Sequence, residues 1–488
     1  MLFAILIVLQ GTPRPVAPAP RDKPALTVLV VVDQMRPDYF TRYHAQFTGG
    51  FRRIYEEGTL FMDGRQDHAM TETAPGHSTL LSGRTPSETG IVSNDFGVND
   101  PLYPLIAGGA GDPASPLRFK GTTLYDWMLA KDPATRVFSV SRKDRAAILP
   151  VGRAKRDVYW WTRGMWGTSR YYRDSLPSWL QAYNRRPGWR TFSGAVWNPL
   201  IPDSAYAEPD SQPWEGNGRE KTFPHQAPTD LDSLGRRIIY YTWMDSLTLD
   251  LALEGARQLQ LGQRAAGSDL LVVSLSTTDR VGHDWSPDSK ELHDHLLRLD
   301  RWLGWFVDSL TRTVPGGRVL WALSADHGSQ SWPEFTVAHG GTAERPTMQP
   351  MATRLRAAMR ARWGSEFEIY QEDGLLYGDT AAMRARGIDL RRLADSLAAE
   401  ARELPGVWRV HTPRTLVRAP RTDHEAWLWR RGIPKTQGWL VAASVRSGYV
   451  WEHTDHGSTD VMDQRVPIAF WGVGIPAARS TRTVSTTD

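Results

Sequence analysis

Residues 26–33 read LTVLVVVD, a continuous β-branched run that ends at an acidic residue. Such a run predicts a central parallel strand covered on both faces. Two later runs, residues 270–275 and 319–323, follow the same pattern and lead to Asp279 and Asp326. Three buried strands that each deliver a carboxylate just past the C-terminal end predict an open α/β sheet with its functional site along that edge.

Helical patterns lie between these strands, at residues 242–261 and 292–313, where apolar residues recur at helical spacing. We therefore expect a three-layer α/β sandwich with a mostly parallel sheet and helices on both faces. Two regions do not fit this alternation of strands and helices. Residues 158–226 are rich in Trp and predict an irregular insertion covering the site, and residues 346–452 predict a small α+β subdomain.

Composition excludes several classes of function. The chain of 488 residues has no cysteine, so any metal must be held by His, Asp or Glu. Its net charge of +4, from 58 basic and 54 acidic residues, includes no concentrated basic block. We therefore expect no nucleic acid as a stable partner.

The two ends of the chain look unlike the rest. Residues 2–9 form an apolar run, and a Pro-rich piece follows up to Pro24. The run is too short to cross a bilayer, so no transmembrane anchor is expected, but it fits the apolar part of a secretory signal. We expect a signal-like segment and linker over residues 1–24 and a catalytic domain over residues 25–488.

Residues 485–488 resemble a helix N-cap with no helix after it, which predicts a truncated C-terminus.

Histidines and aspartates with metal-ligand spacing follow the predicted strands. The set holds three His and three Asp: Asp33, Asp279, His283, Asp326, His327 and His456. Asp279 and His283 are four residues apart, which puts both on one side of a helical turn. A single strand-end Asp is often an N-cap, and a single His often only makes hydrogen bonds. Six at matching positions, with Thr73 added, predict two metal sites of about four ligands each.

Thr73 is a candidate nucleophile just before the Pro75-Gly76 turn. We expect a helix to begin over residues 78–82, whose free N–H groups and positive dipole end suit an incoming phosphate. Thr beside Pro-Gly is also a common turn or N-cap residue. The assignment therefore depends on the metal ligands elsewhere in the chain.

The substrate class depends on Lys143 and Arg145 in the segment SRKDRAAI. At positions i and i+2 in an extended stretch, both side chains point to the same side. A converging cationic pair suits a phosphate with two non-bridging charges, whereas a diester would gain less. The alternative for this pair is a solvated charged loop.

The order of these residues resembles the alkaline phosphatase superfamily, and TAPGH is similar to the nucleophile turn of the type I phosphodiesterase/nucleotide pyrophosphatase family. The resemblance extends from about Leu26 to Gly474. It implies a first zinc held by Asp279, His283 and His456, and a second held by Asp33, Asp326, His327 and Thr73. SRKDRAAI resembles the Lys-x-Arg segment of the threonine-nucleophile (PafA-like) alkaline phosphatases, and Asn94 matches their phosphate-binding asparagine.

The resemblance implies a phosphate-monoester hydrolase with two zinc ions per chain and a phosphothreonine intermediate on Thr73. Lys143, Arg145 and Asn94 would bind the substrate phosphate of small-molecule esters. We expect a periplasmic or secreted monomer. The nearest alternative is a phosphodiesterase or nucleotide pyrophosphatase with the same metals. A sulfatase and a metal-dependent phosphoglycerate mutase fit less well, because their nucleophiles are not threonine, and a metal-binding pseudoenzyme remains as a different class.

Overall fold

The computed structural model describes residues 23–106, 108–218, 220–364, 367–452 and 455–488. The predicted signal-like run at residues 2–9 lies outside these described residues. Among the described residues, none of the helices combines the length and the hydrophobicity that a bilayer crossing requires.

The strands belong to three sheets. In chain order they are β1 Leu26–Val32, β2 Thr59–Arg65, β3 Val137–Ser141, β4 Asp157–Trp161, β5 Trp166–Gly167, β6 Val196–Trp197, β7 His225–Gln226, β8 Asp269–Leu275, β9 Val319–Ser324, β10 Ile369–Glu372, β11 Leu375–Gly378, β12 Val407–His411, β13 Trp439–Val445, β14 Arg465–Gly472 and β15 Ala478–Ser485.

Helices connect and cover these strands. They are α1 Tyr39–Arg42, α2 Gly50–Glu57, α3 Thr73–Thr79, α4 Pro86–Thr89, α5 Leu124–Lys131, α6 Asp144–Ile148, α7 Ser178–Arg185, α8 Leu231–Arg237, α9 Trp243–Gln258, α10 Thr277–Trp285, α11 Lys290–Thr313, α12 Pro333–Ala338, α13 Gln349–Trp363, α14 Thr380–Ala385, α15 Leu390–Ala401, α16 Pro413–Arg418, α17 His424–Gly432 and α18 Val461–Gln464.

The central sheet has nine strands in the order β15-β2-β14-β9-β1-β8-β3-β4-β5. Its middle, from β9 to β4, is parallel, and β14 and β5 add antiparallel pairings. Val30 of β1 lies opposite Val273 of β8 and Leu323 of β9, so the three strands end at one edge. The predicted α/β fold with a mostly parallel sheet is confirmed, and the antiparallel pairings lie toward the two edges of the sheet.

Alternate residues of β1 face opposite sides of this sheet. Val28, Val30 and Val32 belong to a core shared with α9 and α11, whereas Leu29 and Val31 belong to a second core that includes residues of α6. Each such fully buried side chain stabilises the fold by about 1.5–3 kcal/mol. Packing on both faces explains why the sequence of β1 lacks polar alternation.

The Trp-rich insertion begins later than the sequence predicts. Residues 157–161 form β4, which pairs with β3 in the central sheet, and β5 pairs with β4 in turn. Trp161, Trp166 and Trp197 are buried in the main core. Most of these aromatic rings therefore pack the protein interior.

The second unit is the predicted α+β subdomain. Its antiparallel sheet has the order β10-β11-β13-β12, with a core of its own that includes residues of α13 and α15. The sequence analysis missed β11. It also missed β15, which pairs with β2 next to the residues predicted as a helix N-cap.

Candidate active site

Three of the predicted ligands meet at the ends of two neighbouring strands, and we call them the strand-end group: Asp33, Asp326 and His327. Asp33 follows β1, and the other two come shortly after β9. All three side chains are completely buried. His327 Nε2 lies 3.6 Å from Asp33 Oδ1 and 3.7 Å from Asp326 Oδ2.

The other three ligands form what we call the helix-loop group: Asp279, His283 and His456. Helix α10 begins two residues after β8, and His283 Nε2 lies 3.1 Å from Asp279 Oδ1 across one turn. His456 comes from the loop between β13 and α18, and its Nε2 is 3.2 Å from His283 Nε2. The His327 and His456 rings stack with centroids 3.8 Å apart, so the two groups adjoin.

Each group offers ligand atoms within 4.8 Å of one another, as a shared metal ion requires. Within the described residues, Asp33 Oδ1 and His327 Nε2 have no hydrogen-bond partner although both are buried. Buried polar atoms without partners are costly, and a divalent cation would satisfy both. Carboxylate oxygens and imidazole nitrogens are also the ligands that zinc accepts in proteins. The residues of both groups therefore fit metal ions.

Burial and crowding separate the charge states within the strand-end group. Burial, together with Asp279 and Asp326, raises the pKa of Asp33 to about 6. Burial acts on Asp326 as well, but His327 and His77 outweigh it and hold the pKa of Asp326 far below its usual range. Two carboxylates this close thus have different proton affinities before any metal binds.

In the helix-loop group the pKa values of the two histidines are shifted in opposite directions. Burial opposes a charge on His283, but Asp455 and Asp279 raise its pKa to about 10. Burial, with His327 and His283, holds the pKa of His456 well below its usual value. Asp455 Oδ1 contacts His283 Nδ1 at 2.6 Å and so fixes the orientation of the ring.

Thr73 lies near both groups, because one lysine, Lys143, contacts its hydroxyl and a carboxylate of each group. The helix α3 starts at Thr73 itself, so the predicted start over residues 78–82 is wrong, and the helix has only seven residues. Gly76 allows the backbone of α3 to approach the backbone of Asp326 closely, because a Cβ at position 76 would lie 2.0 Å from the carbonyl oxygen of Asp326. Only a glycine lets α3 pack directly on the strand-end loop. His77 fixes this arrangement further, with Nδ1 3.0 Å from Asp326 Oδ2 and 2.9 Å from the Thr73 carbonyl oxygen.

Lys143 connects both groups to Thr73. Its Nζ donates a hydrogen bond of 2.9 Å to Thr73 Oγ1 and lies 2.7 Å from carboxylate oxygens of Asp33 and Asp279. The predicted extended geometry for Lys143 and Arg145 is wrong, because Lys143 is the N-cap of α6 and Arg145 lies in its first turn. The pair still lines one cleft.

Asn94 contacts the backbone beside Thr73. Its Oδ1 accepts a hydrogen bond of 2.9 Å from Ala74 N. Its own backbone N–H donates to Glu72 Oε2 at 2.9 Å and to Glu372 Oε1 at 3.1 Å. Glu372 ends β10 in the second unit, so a residue far away in sequence holds Asn94 in place.

Sequence reasoning missed Glu372, His77 and Asp455. For Asp455 a signal exists, because residues 326–329 and 455–458 both read DHGS. A repeated ligand motif would have pointed to the second Asp as well as to His456. No spacing in the sequence connects Glu372 with Asn94. The structure otherwise brings together the ten residues that the sequence singled out, with Arg145 and Asn94 at the periphery.

Residues 27–346 match the family described as type I phosphodiesterase / nucleotide pyrophosphatase. The chain is 30% identical to alkaline phosphatase PafA of Elizabethkingia meningoseptica, over 96% of this chain and 90% of that one. It is 31% identical to alkaline phosphatase PhoK of a Sphingomonas species, over 95% of this chain and 87% of that one.

The crystal structure of wild-type PafA superposes with a TM-score of 0.84 and 29% identity, covering 96% of this chain and 94% of that chain. Sequence and fold therefore agree over nearly the whole length. The chain belongs to the type I phosphodiesterase/nucleotide pyrophosphatase family of phosphoric-ester hydrolases and is a PafA-like protein.

Proposed function

We propose that the protein hydrolyses phosphate monoesters through a phosphothreonine intermediate on Thr73. The observation that carries this proposal is the position of Thr73 Oγ1, 2.9 Å from Lys143 Nζ, at the junction of the two groups. A hydroxyl in this position has a cationic donor and two prospective metal ions around it. Both named relatives are alkaline phosphatases, which supports the same substrate class.

The proposal includes two zinc ions. The helix-loop group would hold the first, and the strand-end group with Thr73 would hold the second. When bound, such ions supply positive charge that lowers the pKa of a hydroxyl or water and polarises a phosphoryl oxygen. The imidazoles in both groups favour zinc over calcium, which prefers oxygen ligands throughout.

The chain's own residues perform the rest of the mechanism. Thr73 Oγ attacks phosphorus, the bond to the leaving-group oxygen breaks, and water later releases phosphate from Thr73. Lys143 Nζ favours the deprotonated hydroxyl of Thr73, since a nearby cation stabilises the anionic form. Asn94, Lys143 and Arg145 would hold the non-bridging oxygens, where charge is rearranged in the transition state.

The alternative is a phosphodiesterase or nucleotide pyrophosphatase that uses the same groups. Lys143 and Arg145 argue for a monoester, because two cations suit a phosphoryl group with two non-bridging charges. A diester carries one such charge and has a second substituent to accommodate. The ratio of monoester to diester rates separates the two functions.

The test is kcat/KM for an aryl phosphate monoester against the matching diester, with zinc-loaded protein. We expect a strong monoester preference that decreases in Lys143→Ala and Arg145→Ala. Thr73→Val, which keeps the shape but lacks the hydroxyl, should abolish turnover, while Thr73→Ser should retain part of it. A diester preference, or full turnover by Thr73→Val, would overturn the proposal.

We also propose that the protein is exported to the periplasm or the medium and acts as a monomer. The apolar run at residues 2–9 supports export. Cell fractionation of the full chain and of a variant lacking residues 1–22 tests location, and light scattering tests the oligomeric state. Equal cytoplasmic retention of both forms, or a stable dimer, would contradict these proposals.

A further inference from the structure

A cleft of about 220 Å³ lies beside the proposed phosphate site and shares Lys143 and Arg145 with it. Its walls come from Leu105 and residues 110–112, the start of α6, the turn between β4 and β5, and α8. The mechanism proposed above does not use the other residues of this cleft.

The lining has an excess of positive charge. Five cationic side chains line the cleft, against the carboxylates of Asp112 and Asp144: Arg142, Lys143, Arg145, Arg163 and Arg236. A concave surface with one dominant sign of charge concentrates ligands of the opposite sign. The cleft therefore favours an anion.

Two of these arginines have little else to bind. Arg163 is exposed and makes no ion pair with any described residue. It has a backbone φ of 54°, which is unfavourable for an arginine. Arg236 pairs with Asp232, but both side chains are largely exposed and that contact is weakly stabilising.

The wall behind these arginines is firmly packed. Trp161 is buried and packs edge to face against Trp166 and Trp189. Its indole N–H donates to the carbonyl oxygen of Gly235 at 3.3 Å, which ties β4 to α8 next to Arg236. Arg236 and Arg163 are thus carried by packed elements rather than by a loose surface.

We propose that this cleft binds a second phosphoryl group on the leaving group, so that the enzyme prefers small bisphosphorylated esters over matched monophosphates. The inference rests on the proposed monoesterase function. One phosphoryl group is attacked by Thr73, and the other sits between Arg163 and Arg236. The small volume of the cleft suits a sugar-sized ligand, since pockets for larger ligands start at about 300 Å³.

Neighbouring residues on α8 provide a matched control. Arg236 lines this cleft, whereas Arg237 lines a different one with Tyr240 and Trp285 and pairs with Glu220 at 3.3 Å. Both are exposed arginines on the same helix. Removing Arg237 changes the net charge by the same amount without changing the proposed anion site.

The experiment measures phosphate release from a hexose bisphosphate and from the matching hexose monophosphate. We expect kcat/KM to favour the bisphosphate by about tenfold, at the low end of electrostatic focusing by a charged cleft. The Arg236→Ala variant, which Arg237→Ala matches in charge, should lose most of this preference, and the Arg163→Ala/Arg236→Ala double variant should lose all of it. Both should keep their rate on the monophosphate. Arg237→Ala should keep both, and added salt should reduce the preference of the wild type.

The outcomes separate this inference from the proposed function. Hydrolysis of the monophosphate with no preference for the bisphosphate, or an unchanged preference in the double variant, overturns the cleft assignment alone. Absence of hydrolysis of any monoester overturns the proposed function. An equal loss of preference in Arg237→Ala would assign the effect to overall charge and also reject the cleft.

Discussion

The strand-end group and the helix-loop group adjoin, yet the chain supports them differently. Asp33, Asp326 and His327 follow paired strands directly, so the register of β1 and β9 fixes them. Asp279 and His283 lie on a helix, and His456 comes from a loop that follows the second unit. The first group depends on a buried sheet, while the second depends on correct docking of segments that are distant in sequence.

The two groups also differ in the residues that orient their ligand side chains. His77 contacts Asp326 from α3, next to the nucleophile, whereas Asp455 holds His283 from the same loop that supplies His456. Lys143 connects both groups to Thr73, but the additional supports differ: His77 links the strand-end group to α3, and Asp455 links the helix-loop group to the loop after β13. Variants that disturb one support and leave the other intact can test this division.

The largest effect should come from removing one carboxylate from either group. Asp33→Ala and Asp279→Ala should each lower kcat/KM more than about 100-fold. This exceeds the usual loss when a residue that only hydrogen-bonds to a metal ligand is removed. Asp308→Ala, at an exposed position on α11, serves as the control and should retain activity. If only one of the two variants were inactive, a two-metal centre would be wrong.

Removing an orienting partner should have a smaller and more selective effect. Asp455→Asn should lower zinc affinity about 10- to 100-fold at one of two sites, because the His283 ring loses its charged partner. His77→Gln should mainly affect the other site. Zinc titration with a competing chelator measures both affinities, and Asp389→Asn, which keeps the N-cap of α15, is the control. Equal weakening of both sites by Asp455→Asn would contradict the division.

Loss of the Glu372 contact should cost about tenfold or less in kcat/KM, which corresponds to one hydrogen bond of about 0.5–1.5 kcal/mol to a backbone N–H. Glu372→Ala leaves Asn94 less firmly held, so KM should rise more than kcat falls. Glu368→Ala, an exposed residue of the same unit, should have no effect. Unchanged kinetics in Glu372→Ala would show that Glu72 alone positions Asn94.

Zinc binding should release close to one proton from His283 at pH 8. The pKa of this histidine is raised to about 10, above its usual 6.5. At pH 8 the metal-free protein therefore keeps the proton on His283. A zinc ligand must be deprotonated, so binding displaces it. Calorimetry in buffers of different ionisation enthalpy counts the protons. In Asp455→Asn the release should decrease, because the pKa of His283 falls without its partner.

Local sequence patterns predicted the three neighbouring strands in the middle of the central sheet, β9, β1 and β8. The apolar runs before Asp33, Asp279 and Asp326 specify buried strands. The sheet then places each of these ligands, because each lies one to four residues past the end of its strand. The i, i+4 pair Asp279 and His283 needs only a helix. These features depend on neighbours in sequence, so the sequence could reveal them.

Features that depend on distant contacts were missed. Helix α3 packs on the strand-end loop through Gly76, a tertiary contact that the sequence does not show. Lys143 caps a short helix instead of lying in an extended stretch. Strand β15 and the contact of Glu372 with Asn94 likewise require knowledge of the tertiary fold.

The central claim is that Thr73 carries the phosphoryl group during turnover. Acid quenching of the zinc-loaded protein with a monoester substrate, followed by peptide mass spectrometry, tests it directly. The account predicts one added phosphoryl group on the peptide that contains Thr73, and none in Thr73→Val. Rapid turnover by Thr73→Val, with no phosphorylated peptide in either protein, would contradict it.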